Sequence, residues 1–336
     1  AELYRGTLQL QTAPVSLRLF EATHHALVHG NNQFLRWLVR QASQLLSQLT
    51  QFAGIVVVPR HKQARIRQME FLSLSDKRIL LIIGAAEGDE LAAYARAIAS
   101  RRVDAFVVAR TQRADPRLAL LAEHGVPFVA YGRSDTPAGP YAWLDFDNEA
   151  GARLATERLL GLGHRQLGFL GAPPDFNFAQ QRFAGFSAAL AAAGIAPVPG
   201  GVVRVAMERR AGYDAMVALL ALPVPPTAVL VDNHLAGVGA AHAVQSAGFE
   251  LGRELSLIVY DGVGEDSVIR SAITSVQQPT AASTGTELAE LTLALLRGEP
   301  LETLHRLRLP AVAVGSSDGP PVARGRAVAS RVRTPT

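Results

Sequence analysis

The residues of this chain with the most chemistry to offer fall at the ends of apolar runs. Asp232 and Asn233 follow the run 228–231, and Asp261 follows 255–260. Ligands of open parallel sheets sit beyond the carboxyl ends of the strands, so these side chains are candidates to meet one. Arg182 opens a helix close by. An Arg and an Asp together supply the forked donors and acceptors that vicinal hydroxyls need. An aromatic such as Phe178 or Trp143 can cover the apolar face of a sugar ring, or simply pack in a core. Such a set recognises a ligand and does not turn it over. No Gly-x-Ser-x-Gly elbow and no P-loop occur. Gly237-Val238-Gly239 lacks the third glycine and the later acidic residue that a dinucleotide site needs. His25 and His29 have the i, i+4 spacing of a helical metal pair, with His24 beside them, but no third ligand is evident. Asp145 and Asp147 would share one face of a strand, although capping is the commoner use of such a pair. The expectation is no enzyme, no cofactor and no metal.

Positioning those residues requires strands and helices in alternation, and from about residue 85 onward they alternate. The stretches 103–108, 127–131, 228–231 and 255–260 read as buried strands, and 117–124, 179–193, 237–247 and 286–296 as helices. In 179–193 the side chains Phe183, Phe186, Leu190 and Ala193 share a face, and Gly194 stops the helix. The block 144–171 is especially informative. Asp147 or Asn148 can cap a helix, Ala155, Leu159 and Leu162 give it a buried face, Gly163 ends it, and 166–171 is a short apolar strand. Repeated units of this length imply an α/β fold with parallel sheets flanked by helices. The first 83 residues differ: 34–52 reads as a helix, 54–59 and 77–83 as strands, and 66–74 as either. If 66–74 were a helix, 54–59 could pair in parallel with 77–83. The segment 315–336, rich in Gly, Pro, Ser and Arg, reads as a loose tail.

Bulk properties narrow the field. The 336 residues are 49% hydrophobic and 18% charged, enough for two or three compact units with real cores. Cysteine is absent, which removes disulfides and thiolate chemistry and fits a cytoplasmic protein. No apolar run approaches the roughly 20 residues of a membrane span, and no secretory signal is visible. The net charge of +4 is uneven. Residues 1–83 hold ten Lys/Arg against four Asp/Glu, and 319–336 hold four Arg and no acid, so the body between them carries −6. Basic ends on an acidic body suit nucleic-acid-facing appendages, or a disordered tail in an arginine-rich chain.

Several motifs in order then resemble the LacI/GalR family of ligand-responsive repressors, over about 84–318. They are 103–133 (VDAFVVARTQRADPRLALLAEHGVPFVAYGR), 144–171, 176–190 (FNFAQQRFAGFSAAL), 228–262, 273–279 (ITSVQQP) and 307–317 (LRLPAVAVGSS). The resemblance implies a two-lobed periplasmic-binding-protein-like (type I) fold with a first lobe of 84–164 plus 274–297 and a second of 165–273 plus 298–318. It implies a cleft that binds a small polar effector, a sugar, through Arg182, Asp261, Asn233, Asn177, Phe178, His234 and Asp147. It also implies a homodimer that meets operator DNA through a headpiece; nothing in 1–50 fits one, so the DNA-binding residues stay unknown. Two departures stand out. The family's Asn-Asp is Asn233-His234 here, and its Phe-Asp-Asp is Tyr260-Asp261-Gly262. The front, 42–84, resembles instead the central region of HrcA-type heat-inducible repressors, which implies that 66–74 is a strand of a small sheet in an atypical N-terminal α+β segment. The chain reads as a ligand-responsive repressor of LacI type. The rivals are a solute-binding protein of a sugar transporter and an HrcA-type repressor fragment.

Overall fold

The computed structural model describes residues 54–56, 66–74, 77–85, 90–101, 104–135, 139–263, 269, 271–278 and 281–322. The chain divides into two compact units, residues 1–106 and 107–336. No helix among the described residues is long and apolar enough to cross a membrane.

In the first unit, β1 (Gly54–Val56), β2 (Ile66–Leu74) and β3 (Lys77–Ala85) run antiparallel to their neighbours in that order. Leu74 faces Lys77, so only two residues join β2 to β3, the length of a tight hairpin. Segment 66–74 is therefore a strand, and β1 pairs antiparallel with it, which overturns the parallel alternative. Closing a two-residue hairpin costs far less chain entropy than a crossover of a dozen residues. Helix α1 (Glu90–Ser100) buries Ala93 and Tyr94, and the Tyr94 ring stacks on Phe106 at 5.5 Å. The helix expected at 34–52 and the cluster His24, His25, His29 lie outside the described residues.

The second unit holds two sheets. The first has the order β4 (Ala105–Ala109), β5 (Phe128–Tyr131), β6 (Ala142–Phe146), β12 (His305–Arg308), with β5, β6 and β12 parallel. Helix α2 (Pro116–Glu123) follows β4, and α7 (Ala281–Leu296) packs Leu291 against Val129, Ala142 and Leu144. The second sheet has the order β13 (Ala311–Ala313), β11 (Thr274–Gln277), β10 (Ser256–Tyr260), β9 (Ala228–Val231), β7 (Leu167–Gly171), β8 (Val202–Arg204). All its pairs are parallel except β13 on β11.

Strict alternation along these strands feeds two cores. Leu167, Phe169, Leu230, Ile258 and Tyr260 face α3 (Asn148–Gly161) and α4 (Asn177–Ala192). Leu170, Val229, Val231, Leu257 and Val259 face α5 (Arg209–Leu220) and α6 (His234–Ser246). Burying both faces explains why the strands read as unbroken apolar runs. The sequence reading left α5 and β8 unassigned.

Strand pairing corrects the expected lobe boundaries. α3 packs into the second-lobe core, β11 pairs with β10, and β12 pairs with β6. The chain thus crosses between lobes at 146–148, between β11 and α7, and at 308–311. The expected loose tail is also corrected at its start. Ser317 Oγ donates to Leu257 O at 2.6 Å, Asp318 pairs with Arg158 at 2.6 Å, and the buried His164 ring contacts Gly319 O at 2.8 Å. Buried partners outweigh a flexible composition here.

Candidate functional site

Helix α4 begins just after the loop that leaves β7, so its first turns stand at the carboxyl end of the second sheet. Gly185 lets α4 lie against the start of α3: a Cβ there would stand 2.0 Å from Glu149 O. That approach brings Asn148 to Arg182. Arg182 Nε donates to Asn148 Oδ1 at 2.9 Å, and Nη1 donates to the Asp232 carbonyl. The guanidinium lies 3.8 Å from the Tyr260 ring centre and 4.8 Å from that of Phe178. Only Nη2 has no partner among the described residues. These bonds use the single Nε hydrogen and one of the two on Nη1, so the edge that pairs Nε with Nη2 is occupied, while both hydrogens of Nη2 and the second of Nη1 remain.

Beside it, Asp232 is fully buried and both its oxygens accept from Ala172 N, at 2.9 and 2.8 Å. Burial pushes its pKa up, against the pull of Arg182. Asn233 caps α6 by accepting from Ala236 N at 2.9 Å and donates to Asp232 Oδ1, so both its polar atoms are already engaged. His234, the first residue of α6, is exposed. Asp261 follows β10 with φ +61°, a region that Asp and Asn tolerate better than most side chains. It keeps open surface although protein crowds it, as on a concave wall. That crowding raises its pKa, while the charges of Arg182 and His234 pull the other way.

The first lobe supplies the facing groups. Tyr131 ends β5, and its hydroxyl pKa is pushed up to about 12, first by burial and then by the Asp261 charge. Arg133 Nε donates to Asp145 Oδ2 at 2.7 Å. Asp147 caps α3 through Ala150 N at 2.9 Å, which settles the choice between Asp147 and Asn148. Loops from the two lobes meet: Arg113 N donates to Asp175 O at 3.0 Å and Asn177 N to Thr111 O at 3.1 Å. Asn177 Nδ2 also donates to Arg133 O at 2.9 Å, leaving its Oδ1 buried without a partner.

The structure therefore gathers Arg182, Asp261, His234, Phe178 and Asn177 at one end of the second sheet, with Asn233 behind them and Asp147 at the lobe crossing. Trp143 is not among them; it stacks on His305 at 4.8 Å and lies under Arg133. Sequence reasoning missed Tyr131 and Arg133, and it read Asn148 as a candidate helix cap rather than as the group that holds Arg182 in place. The strand-end rule applied to 127–131 would have found the first two. Among the described residues no group of three or more His, Cys, Asp or Glu could hold a metal ion. A shallow hollow of about 470 Å³ between α3 and β13, lined by Leu154, Arg158, Gly161, Leu162, Val312 and Val314, is mostly apolar and separate from this cluster.

Comparison with known proteins agrees with the geometry. Residues 72–307 match the family described as periplasmic binding proteins and sugar binding domain of LacI family. Residues 37–90 match the HrcA protein C terminal domain, so the two likenesses overlap over 72–90. The chain is 38% identical over 241 residues to the HTH-type transcriptional regulator RafR of Escherichia coli, covering 71% of this chain and 70% of that one. It spans between 50% and 64% of the next curated regulators it matches. A crystal structure of a transcriptional regulator from Yersinia pestis superposes with TM-score 0.67 at 39% identity, covering 71% and 85% of the two chains. A structure described as the transcriptional regulator CelR-cellobiose complex superposes with TM-score 0.61 at 29% identity, covering 69% and 72%. These relatives are regulators and not enzymes. From residue 72 to 307, by fold, motif order and relatives alike, the chain belongs to the LacI family of transcriptional regulators.

Proposed function

We propose that this chain senses an uncharged polyol, a sugar, and that binding changes the angle between its lobes to alter repression at an operator. The setting of Arg182 carries the reading. With Nε and Nη1 each bonded to a protein oxygen, the donors left to a ligand are centred on Nη2, which suits hydroxyls. A phosphate or carboxylate would face the Asp261 carboxylate, and the Nε–Nη2 edge that grips such groups at two points is already occupied. Asn177 Oδ1, Asp261 and the Tyr131 hydroxyl supply the remaining acceptors and donors, with Phe178, His234 and Asp147 at the rim. The cellobiose complex of CelR supports a saccharide in a cleft of this fold. Operator contact would come from a headpiece joined to this part, in a cytoplasmic homodimer.

Calorimetry tests this with neutral mono- and disaccharides, cellobiose among them, beside glucose 6-phosphate. At least one neutral sugar is expected to bind, and Arg182→Ala to weaken it by roughly 30-fold through loss of a buried charged hydrogen bond. Binding confined to the phosphorylated sugar would sink the uncharged-polyol reading, and no binding at all would sink the sensor.

A further inference from the structure

We propose that Asn148 is the positioning residue that couples effector contact at Arg182 to the angle between the two lobes. The inference rests on the cleft being the effector site. Asn148 is 3% exposed and sits where the chain passes from β6 to α3. A second crossing, from β12 to β13, runs beside it: Asp147 N donates to Arg308 O at 2.9 Å. Every polar atom of the Asn148 side chain is engaged, and the partners lie on both sides of the crossing. Nδ2 donates to Phe146 O in the first lobe and to Gln181 Oε1 in the second, each at 3.1 Å, and also reaches Asp145 Oδ1 of the first lobe at 3.4 Å. Oδ1 accepts from Arg182 Nε at 2.9 Å. The backbone carbonyl accepts from Tyr260 Oη at 2.8 Å, and that same ring lies against the guanidinium.

Arg182 is thus wedged against one amide that also braces the crossing. A hydroxyl that engages Nη2 draws on a guanidinium whose other contacts are fixed, so the amide must follow it or lose its bond. If it follows, the segment 146–148 turns, and the lobes turn with it. Hinges of this kind consist of a few residues that absorb the whole change. A ligand moves such an equilibrium only through contacts that differ between its two ends; the amide of Asn148 is where that difference enters.

The absence of cysteine makes the test direct. Glu123→Cys on α2 and Ser246→Cys on α6, both exposed, place a label pair on the two lobes of the full chain. In that background Gln181→Leu removes one brace of Asn148. Asn148→Asp keeps the acceptor for Arg182 but deletes every donated bond and sets a second carboxylate beside Asp145. The probe is whichever neutral saccharide the labelled parent binds most tightly. Gln181→Leu and Asn148→Asp are expected to bind it within tenfold of the parent, while the saccharide-induced change in label distance falls by at least half. A parent-sized distance change in both variants would overturn the coupling role. So would a loss of affinity beyond tenfold with the distance change intact, which would make Asn148 a binding residue only. Should Asn148→Asp not fold, Gln181→Leu decides alone. If the parent binds no saccharide, the effector reading itself fails, and this role with it.

Discussion

Asp261 answers to two opposed demands. A polyol needs its carboxylate ionised to accept two hydroxyl protons, yet crowding by protein raises its pKa. A carboxyl whose folded pKa is raised favours the folded state only below the ordinary carboxylate range, and that contribution is lost as pH rises through the raised value. Ionised at neutral pH, Asp261 therefore costs stability, partly offset by Arg182 and His234. Asn is isosteric, uncharged and tolerant of φ +61°. Asp261→Asn is expected to raise the melting temperature at pH 7, by no more than about 3 °C because the group is solvent-screened. The gain should vanish below about pH 4, where the parent is protonated in both states. Saccharide affinity should fall, and the parent's affinity should fall as pH drops through the raised pKa. Thermal melts and titrations at both pH values decide it; a lower melting temperature at pH 7 would mean that Arg182 and His234 outweigh the burial.

At the scale of elements, the site depends on how closely α3 and α4 approach. Glu149 O occupies the place where a Gly185 Cβ would go, and it is backbone, so it cannot swing away. Gly239 plays the same part between α6 and α5, its Cβ position 1.9 Å from Arg209 O. Gly185→Ala is expected to destabilise the second lobe by about 1–3 kcal/mol, the usual penalty of overpacking. It should also weaken saccharide binding, because the same approach sets the bond from Arg182 to Asn148. Gly161→Ala, at the end of α3 with open space around it, serves as the control and should be neutral or slightly stabilising. Equal urea midpoints for the two variants would show that the helices can part without cost.

At the scale of the whole molecule, the basic ends outweigh the acidic body, although most of their residues lie outside the described ones. Attraction to phosphate needs only positive charge, whereas reading bases needs a motif in the groove. This chain is expected to bind duplex DNA with a dissociation constant of order 10⁻⁴–10⁻⁶ M, without sequence preference and fading steeply with salt. A salt series of mobility shifts on unrelated duplexes checks this, and tight, salt-resistant binding to one of them would reveal a reader.

Local patterns in the chain were enough to determine most of the alternating elements from residue 103 onward, though not α1, α5 or β8, together with the stops at Gly163 and Gly194, the strand-end placement of Asp261, and the family. Each of these is written within about one turn of helix or one strand, where spacing alone decides which side chains share a face. The hairpin at 66–85 needed one further observation, that its strands lie two residues apart. Tertiary structure decided the rest. Periodicity shows that Ala155 and Leu159 are buried but not which sheet buries them, so α3, β11 and β12 changed lobes. Composition marks 315–319 as loose, but Asp318 and Ser317 find buried partners far away in sequence. Arg182 reads as a free fork until Asn148 and Asp232, 34 and 50 positions distant, take Nε and Nη1. Contacts at such separations depend on how whole layers pack, and no window of residues contains them.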